Sequence, residues 1–402
     1  MTKTRRIYPL IATIAIQLCL GVAYIWSVFQ TGIANSLFNG NNANASLTYS
    51  LLLALLTVGS VIGGKLTTKI SIKYVVMAGG FILSFGFFLA SFTTSQMPWL
   101  IWLSYGVLGG IGMGFSYSTT IACVQKWYPD KKGLVTGLTV AALGLGGVVF
   151  TPIVEKMIIY FGGQGKGELM TFRVIAFIFL IVCTTGSFFL SMPKEEQTGT
   201  THSADDLRIS QMIKKPVFYF ITCSMMLACM SGLMLIGFAK PIAAAKGMIE
   251  TATIGVLLIS IFNSAGRLLW GIISDKIGRA NTLLIIMIGT AATSLLVSLA
   301  EGYWIFAVIG VIGFFYGGLL SNFPTLTAEV FGAKNVATNY GMVLLGFGIA
   351  AVASSYIAGY FKDIAANDIS LMFPAFAIAS ACSAVAAVLI LIVKKIQKAK
   401  LA

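Results

Sequence analysis

The chain has 402 residues, of which 57% are hydrophobic and only 10% are charged, and its mean hydropathy is +0.91. Because a soluble protein carries about 25% charged residues, this composition excludes a soluble domain and predicts an all-α integral membrane protein. The formal net charge of +14 is therefore attributed to membrane topology and not to nucleic-acid binding.

Hydropathy predicts twelve membrane-spanning helices. They cover residues 7–30, 47–67, 74–94, 99–125, 133–161, 170–192, 217–240, 252–274, 281–300, 302–328, 336–361 and 370–393. The largest polar interruption divides six spans from six. We therefore expect an N-terminal six-helix bundle over residues 1–192, a cytoplasmic linker over 193–216 and a C-terminal six-helix bundle over 217–402.

The distribution of basic residues predicts the orientation. Of the 27 Lys and Arg residues, 20 lie at the two termini and in the loops that follow even-numbered spans. Since cytoplasmic loops are enriched in Lys and Arg, we expect a multi-pass protein of the cytoplasmic membrane with both termini in the cytoplasm.

One charged side chain lies well inside a predicted span. Arg267 occurs in the apolar run 252–274, and a guanidinium at membrane depth costs at least about 2.5–3.5 kcal/mol. A cation kept there predicts a binding site for an anion, and the alternative is a structural Arg that hydrogen-bonds helix ends. Asn263, four residues earlier, shares its helical face and could orient the guanidinium or pair with another helix.

The two halves carry a repeat. Gly64 and Gly271, at the ends of spans two and eight, are 207 residues apart, and the pairs Gly109/Gly313, Gly114/Gly318, Gly137/Gly341 and Gly144/Gly348 are each offset by 204. A shared offset near half the chain indicates duplication of a six-span unit. Such repeats are typical of carriers that bind substrate near the membrane midplane and work by alternating access.

The loop after span eight carries a specific signature. Gly271, Asp275, Lys276, Gly278 and Arg279 match the G-x-x-x-D-[RK]-x-G-[RK] loop motif of the major facilitator superfamily. The chain therefore resembles that superfamily, and its twelve-helix fold of two pseudo-symmetric halves is expected. The motif residues are then expected to act in conformational gating. The first-half copy is degenerate, because Thr68 stands at the Asp position and Ser71 at a Gly position.

More narrowly, the chain resembles the oxalate/formate antiporter family and its monocarboxylate-carrying relatives. The stretches that carry this resemblance are QLCLGVAYIWSVF (17–29), GGIGMGFSYSTTIACVQKWYPDKKGLVTG (109–137), FNSAGRLLWGIISDKIGR (262–279), FFYGGLLSNFPTLTAEVFG (314–332) and NYGMVLLGFG (339–348). The resemblance implies that Arg267 binds a substrate carboxylate, and it places aromatic residues of neighbouring spans around that anion.

Five further residues are candidates for the binding site. Gln17 and Tyr24 share a face of span one, while Tyr117, Tyr316 and Asn322 lie in spans four and ten. Tyrosine hydroxyl groups can donate to an anion, and the rings limit the size of a cavity. Packing between helices is the alternative role for each of them.

One departure from the family bears on the substrate. The resemblance implies that oxalate-carrying members have a Lys in span eleven, where this chain has Phe347. A single cation matches a monoanion better than a dianion, because an unmatched buried charge is costly. We therefore expect lactate, pyruvate, formate or a similar monocarboxylate, with an oxalate/formate-type antiporter as the alternative.

The sequence leaves open how substrate transport is coupled to an ion gradient. Spans show no Asp or Glu at mid-depth, so proton-linked transport, exchange and facilitated diffusion all fit the sequence. We expect no cofactor and no metal, since the six cysteines fall in apolar runs and the sole histidine, His202, lies in the linker. The expected partners are the carboxylate, protons and the lipid bilayer, and the resemblance suggests a monomer.

Other function classes lack their signatures. A membrane enzyme needs a nucleophile, a carboxylate pair or a metal cluster, and an ATP-driven pump needs G-x-x-x-x-G-K-[ST], which residues 162–168 do not supply. A channel would not need the duplicated loop signature. A carboxylate sensor with the same fold is the alternative function that is hardest to distinguish from a transporter, because it would bind the substrate without transporting it.

Overall fold

The computed structural model describes residues 3–193, 206–237, 252–300, 302, 304–364, 371 and 373–401. His202 and much of the predicted linker lie outside these ranges. The described residues are almost entirely helical and include no β-strand, which confirms the all-α prediction.

The first seven long helices come from the N-terminal half. They are α1 (Lys3–Leu20), α2 (Trp26–Leu37), α3 (Asn42–Leu66), α4 (Ile72–Ala90), α5 (Gly109–Trp127), α6 (Lys132–Tyr160) and α7 (Gly167–Phe188). A short helix Trp99–Ile101 and a π-helical stretch Trp102–Leu108 lead into α5. Six long helices follow: α8 (Pro216–Gly237), α9 (Ala252–Ile277), α10 (Arg279–Leu299), α11 (Trp304–Phe331), α12 (Val336–Ile364) and α13 (Phe373–Leu401).

Eleven helical stretches among the described residues are long and apolar enough to cross a membrane. Helix α9 is outside that set and lies at the place of the eighth predicted span. Together with α9, these eleven stretches follow the twelve predicted spans in order.

The first span is longer than hydropathy predicts. It runs from Arg6 to Leu37, and a 3-10 segment at Gly21–Ile25 separates α1 from α2. The predicted end at residue 30 was wrong because polar side chains lower the hydropathy there. Gln30 nevertheless stays helical, and its amide Nε2 donates to Ser46 Oγ at 2.8 Å.

The helices form two compact units. The first unit comprises Met1–Pro129, Ala142–Asp206 and Ala333–Met342, and the second comprises Asp130–Ala141, Leu207–Gly332 and Val343–Ala402. Helices α6 and α12 thus each contribute their first residues to one unit and their later residues to the other.

Helix packing inside the two units follows one pattern. In the first unit Gly59 lies against the carbonyl of Ile111, as Gly266 lies against that of Phe314 in the second. Gly114 likewise packs on the Leu56 carbonyl as Gly317 packs on that of Asn263. These contacts support the duplication and correct the register of spans four and ten from 204 to 203 residues. The adjacent glycines at 317 and 318 had made the sequence offset ambiguous.

Candidate functional site

Arg267 is fully buried in the second unit. Its side chain is 0% exposed, and its Nη1 donates to the carbonyl oxygen of Val140 on α6 at 2.8 Å. The helices approach closely here, because a methyl group added at Gly137 would lie 2.5 Å from the Arg267 carbonyl oxygen. A buried guanidinium is costly, so this hydrogen bond to a backbone acceptor offsets part of its desolvation.

Unpartnered polar atoms cluster on the same helix. Asn263, one turn before Arg267, is 7% exposed, and its Oδ1 accepts no hydrogen bond from the described residues. Ser264 Oγ and Trp270 Nε1 are also buried without a partner in that part of the chain. A buried polar group without a partner costs about 1–3 kcal/mol, so such a cluster indicates a place where ligand or water completes the hydrogen bonds.

The three other predicted residues of the second unit are all buried. Tyr316 is buried, and its ring lies directly against Gly232 of α8. Asn322 donates through Nδ2 to the Gly318 carbonyl at 2.8 Å on its own helix, while its Oδ1 has no partner among the described residues. Phe347 is buried on α12. Asn263 lies one helical turn from Arg267 on α9, so the structure brings these two predicted residues together.

Two predicted residues of the first unit form a buried polar cluster. Gln17 donates through Nε2 to the Tyr117 carbonyl at 3.2 Å and to Thr120 Oγ1 at 2.9 Å. Because a carbonyl only accepts, these contacts fix the orientation of the amide, and Gln17 Oε1 is left without a partner among the described residues. The Tyr117 and Tyr340 hydroxyl oxygens lie 3.4 Å apart.

Tyr24 lies in the helix break. It belongs to the 3-10 segment Gly21–Ile25 and is 38% exposed, unlike the buried residues around it. Its Cβ packs near Gly147 of α6, where an added methyl group would lie 2.9 Å away. Breaks of this kind in membrane helices often mark functional positions.

The loop-motif residue Asp275 accepts hydrogen bonds at the start of α6. Asp275 accepts hydrogen bonds from the backbone N–H of Gly133 at 2.9 Å and of Leu134 at 2.8 Å. Arg279 donates to the same carboxylate at 2.6 Å and to the Ser274 carbonyl at 2.7 Å. A carboxylate is stabilised at a helix N-terminus, because unpaired N–H groups and the helix dipole meet there.

The remaining motif residues are two glycines at close or unusual backbone positions and one exposed lysine. Gly271 packs directly on the Gly133 carbonyl, where a side chain would collide with the backbone of α6. Gly278 has φ +87°, which a residue with a side chain rarely adopts, and this allows α10 to start at Arg279. Lys276 is exposed in the last turn of α9.

The degenerate copy of the motif makes different contacts. Thr68 is exposed in the turn after α3, and its Oγ1 donates to the Lys65 carbonyl at the end of that helix. Near the start of α12, Asp206 accepts from the backbone N–H of Lys334 at 3.1 Å, and Lys126 Nζ donates to the Lys334 carbonyl at 3.0 Å. A carboxylate therefore reaches this helix start from the linker and not from the loop after α3.

Three buried polar groups of the structure were not predicted from the sequence. The Val140 acceptor is a backbone carbonyl and has no signature in the sequence. Tyr340 lies in the stretch NYGMVLLGFG (339–348), which carries the family resemblance, and no role was predicted for its side chain. Glu168 is 1% exposed at the start of α7, where both carboxylate oxygens accept from Gly165 N–H at 3.0 and 2.9 Å. Glu168 lies at the start of a span, where the sequence alone does not show that its carboxylate is buried.

Comparisons with known proteins agree with this architecture. The family model of the Major Facilitator Superfamily matches residues 11–248 and 232–401. A solved structure of the fucose:proton symporter FucP of Escherichia coli superposes with a TM-score of 0.75 at 13% identity, covering 96% of this chain and 99% of that chain. At this identity the likeness shows the fold alone.

Curated relatives cover most of the chain. The uncharacterized MFS-type transporter YhjX of Escherichia coli (strain K12) is 34% identical over 85% of this chain and 85% of its own. The oxalate:formate antiporter of Oxalobacter formigenes is 27% identical over 90% of this chain and 85% of its own. Monocarboxylate transporter 13 of Bos taurus is 24% identical over 87% of this chain and 80% of its own. With its helices, its repeat and its family match, this chain is a multi-pass membrane transporter and belongs to the major facilitator superfamily.

Proposed function

We propose that this transporter carries a small monocarboxylate such as lactate, pyruvate or formate across the cytoplasmic membrane by alternating access. The observation that carries the proposal is the fully buried Arg267 with the unpartnered Asn263 amide oxygen one turn away. A guanidinium binds carboxylate through two parallel hydrogen bonds, and the amide oxygen can accept from a hydroxyl group or a bound water.

The Val140 contact gives the site a way to respond to substrate. Arg267 Nη1 is held by a neutral carbonyl at 2.8 Å. A carboxylate would compete for that N–H group, since charge-assisted hydrogen bonds are about twice as strong as neutral ones. Substrate binding would then break the hydrogen bond to the Val140 carbonyl. The contact between α9 and the first turns of α6 would be weaker as a result.

The names of two relatives support the substrate class. One relative is an oxalate:formate antiporter and another is a monocarboxylate transporter, so both names refer to small carboxylates. We favour a monoanion because Phe347 occupies the position at which oxalate carriers are expected to place a second cation. A dicarboxylate:monocarboxylate antiporter is the alternative transporter.

The experiment that tests this function is counterflow in liposomes. Vesicles with purified protein are loaded with unlabelled lactate, labelled lactate is added outside, and pyruvate, formate or oxalate is offered in excess. We expect the monocarboxylates to compete and oxalate not to compete. Label that binds saturably but never accumulates would instead identify a sensor. A pH dye inside the vesicles separates proton-linked transport, which changes the internal pH, from exchange, which does not.

A substitution at Phe347 tests the single-cation argument. Phe347→Lys adds a second positive charge to a buried position of α12. We expect the ratio of oxalate to lactate uptake to rise about tenfold, equivalent to about 1.4 kcal/mol, because the added charge matches a dianion. Phe347→Met, which keeps the site apolar, is the control and should leave the ratio unchanged. An unchanged ratio in a folded Phe347→Lys protein would mean that this position does not select substrate charge.

A further inference from the structure

An apolar groove lies on the first unit, and none of the candidate substrate-binding residues lines it. Helices α4 and α7 enclose a cavity of about 170 Å³, lined mainly by Phe81, Phe85, Phe88, Phe177 and Leu180. Phe81 is 59% exposed and Phe177 is 54% exposed, so the groove opens sideways from the bundle. Both helices are membrane spans, and the medium beside them is therefore lipid.

The size and the walls of the groove restrict its occupant. Sites for drug-sized ligands measure about 300–1,000 Å³ and carry a few convergent polar groups. This cavity is smaller and its walls are almost wholly aromatic and aliphatic. A segment of a flexible hydrocarbon chain satisfies both conditions.

The side chain of Arg173 places a positive charge at one end of the groove. Arg173 precedes Phe177 by one helical turn, so both lie on the same face of α7. Its Nε donates to Ser91 Oγ at 3.3 Å, and its guanidinium carbon lies 4.9 Å from the centre of the Phe92 ring. Phe92 in turn packs on Phe88 of the groove, with ring centres 5.2 Å apart.

These contacts orient Arg173 and leave part of it available. Its two terminal nitrogens make no hydrogen bond or ion pair with the described residues, and the side chain is half-buried. An anion placed there would receive the paired N–H groups that suit phosphate oxygens. The position at the end of a membrane span is the depth at which lipid headgroups lie.

We propose that the groove and Arg173 together bind an anionic phospholipid, with an acyl chain along the phenylalanines and the phosphate on the guanidinium. The charge at the groove's end distinguishes this site from ordinary lipid contact, since it matches the headgroup while the rings match the chain. The site is separate from Arg267 and does not depend on the identity of the transported substrate.

Native mass spectrometry of the full chain tests the proposal. Purified protein is titrated with phosphatidylglycerol or with phosphatidylcholine, and the bound lipid is counted. We expect phosphatidylglycerol to bind the wild type, R173Q to weaken that binding about tenfold, and phosphatidylcholine to bind poorly. K156Q removes an exposed cation from the end of α6 and is the matched control, which should bind as the wild type does.

A second variant keeps the test decisive. F85S changes an exposed ring of the groove and leaves the helix core intact, so it should fold and should also bind phosphatidylglycerol more weakly. Equal binding by R173Q and the wild type would overturn the proposal. Equal retention of the two lipids by the wild type, or undiminished binding by F85S, would overturn it as well.

Discussion

Replacement of Arg267 by Lys is expected to reduce lactate counterflow at least about 100-fold. Lysine keeps the positive charge and can still donate to the Val140 carbonyl, so the protein should fold. It cannot bind carboxylate through two parallel hydrogen bonds, and loss of such a contact costs about 2–5 kcal/mol. Initial rates in proteoliposomes with equal amounts of protein measure the effect.

A matched variant controls for this change. Arg208→Lys makes the same chemical replacement at an exposed position ahead of α8. It should transport lactate like the wild type. Wild-type counterflow in Arg267→Lys would show that the guanidinium does not hold the substrate, and the structural interpretation of Arg267 would then stand alone.

Replacement of Asp275 by Asn is expected to loosen the start of α6 and to slow transport about tenfold. The carboxylate holds two backbone N–H groups and Arg279, and the neutral amide loses the charge that strengthens all three contacts. Each weakened hydrogen bond of a charged group is worth about 1.5–3 kcal/mol. Hydrogen exchange at the amides of Gly133 and Leu134 should therefore become faster.

The neighbouring lysine is the control for the gating motif. Lys276 is exposed, so Lys276→Gln should change neither the exchange at Gly133 nor the rate of transport. If Asp275→Asn slowed transport without any change in amide exchange, the carboxylate would act elsewhere than at the start of α6.

Patterns that depend on burial in lipid could be predicted from the sequence. Twelve apolar runs predicted the order of the helices, because membrane spans must satisfy their backbone hydrogen bonds internally. The superfamily fold was expected from the resemblance that the loop motif at 271–279 carries. The pairing of Asn263 with Arg267 on one face follows from helical periodicity alone. The break at Gly21–Ile25 could not be predicted, since that stretch is as apolar as a continuous helix.

Hydrogen bonds to backbone atoms could not be predicted from the sequence. No residue type or spacing identifies the Val140 carbonyl as the acceptor for Arg267. The same holds for the Gly133 and Leu134 N–H groups as donors to Asp275. The Asp206 contact with Lys334 joins residues 128 positions apart, and no local pattern indicates it. Substrate roles for Gln17, Tyr24, Tyr117, Tyr316, Asn322 and Phe347 stay predictions.

Equilibrium binding of labelled lactate is the decisive measurement for a carboxylate-binding role of Arg267. Detergent-purified wild type and Arg267→Gln are compared by scintillation proximity, with unlabelled lactate and oxalate as competitors. A carboxylate-binding role for Arg267 predicts saturable binding in the wild type, displacement by lactate but not by oxalate, and no saturable binding in a folded Arg267→Gln protein. Equal affinity in the two proteins would contradict it.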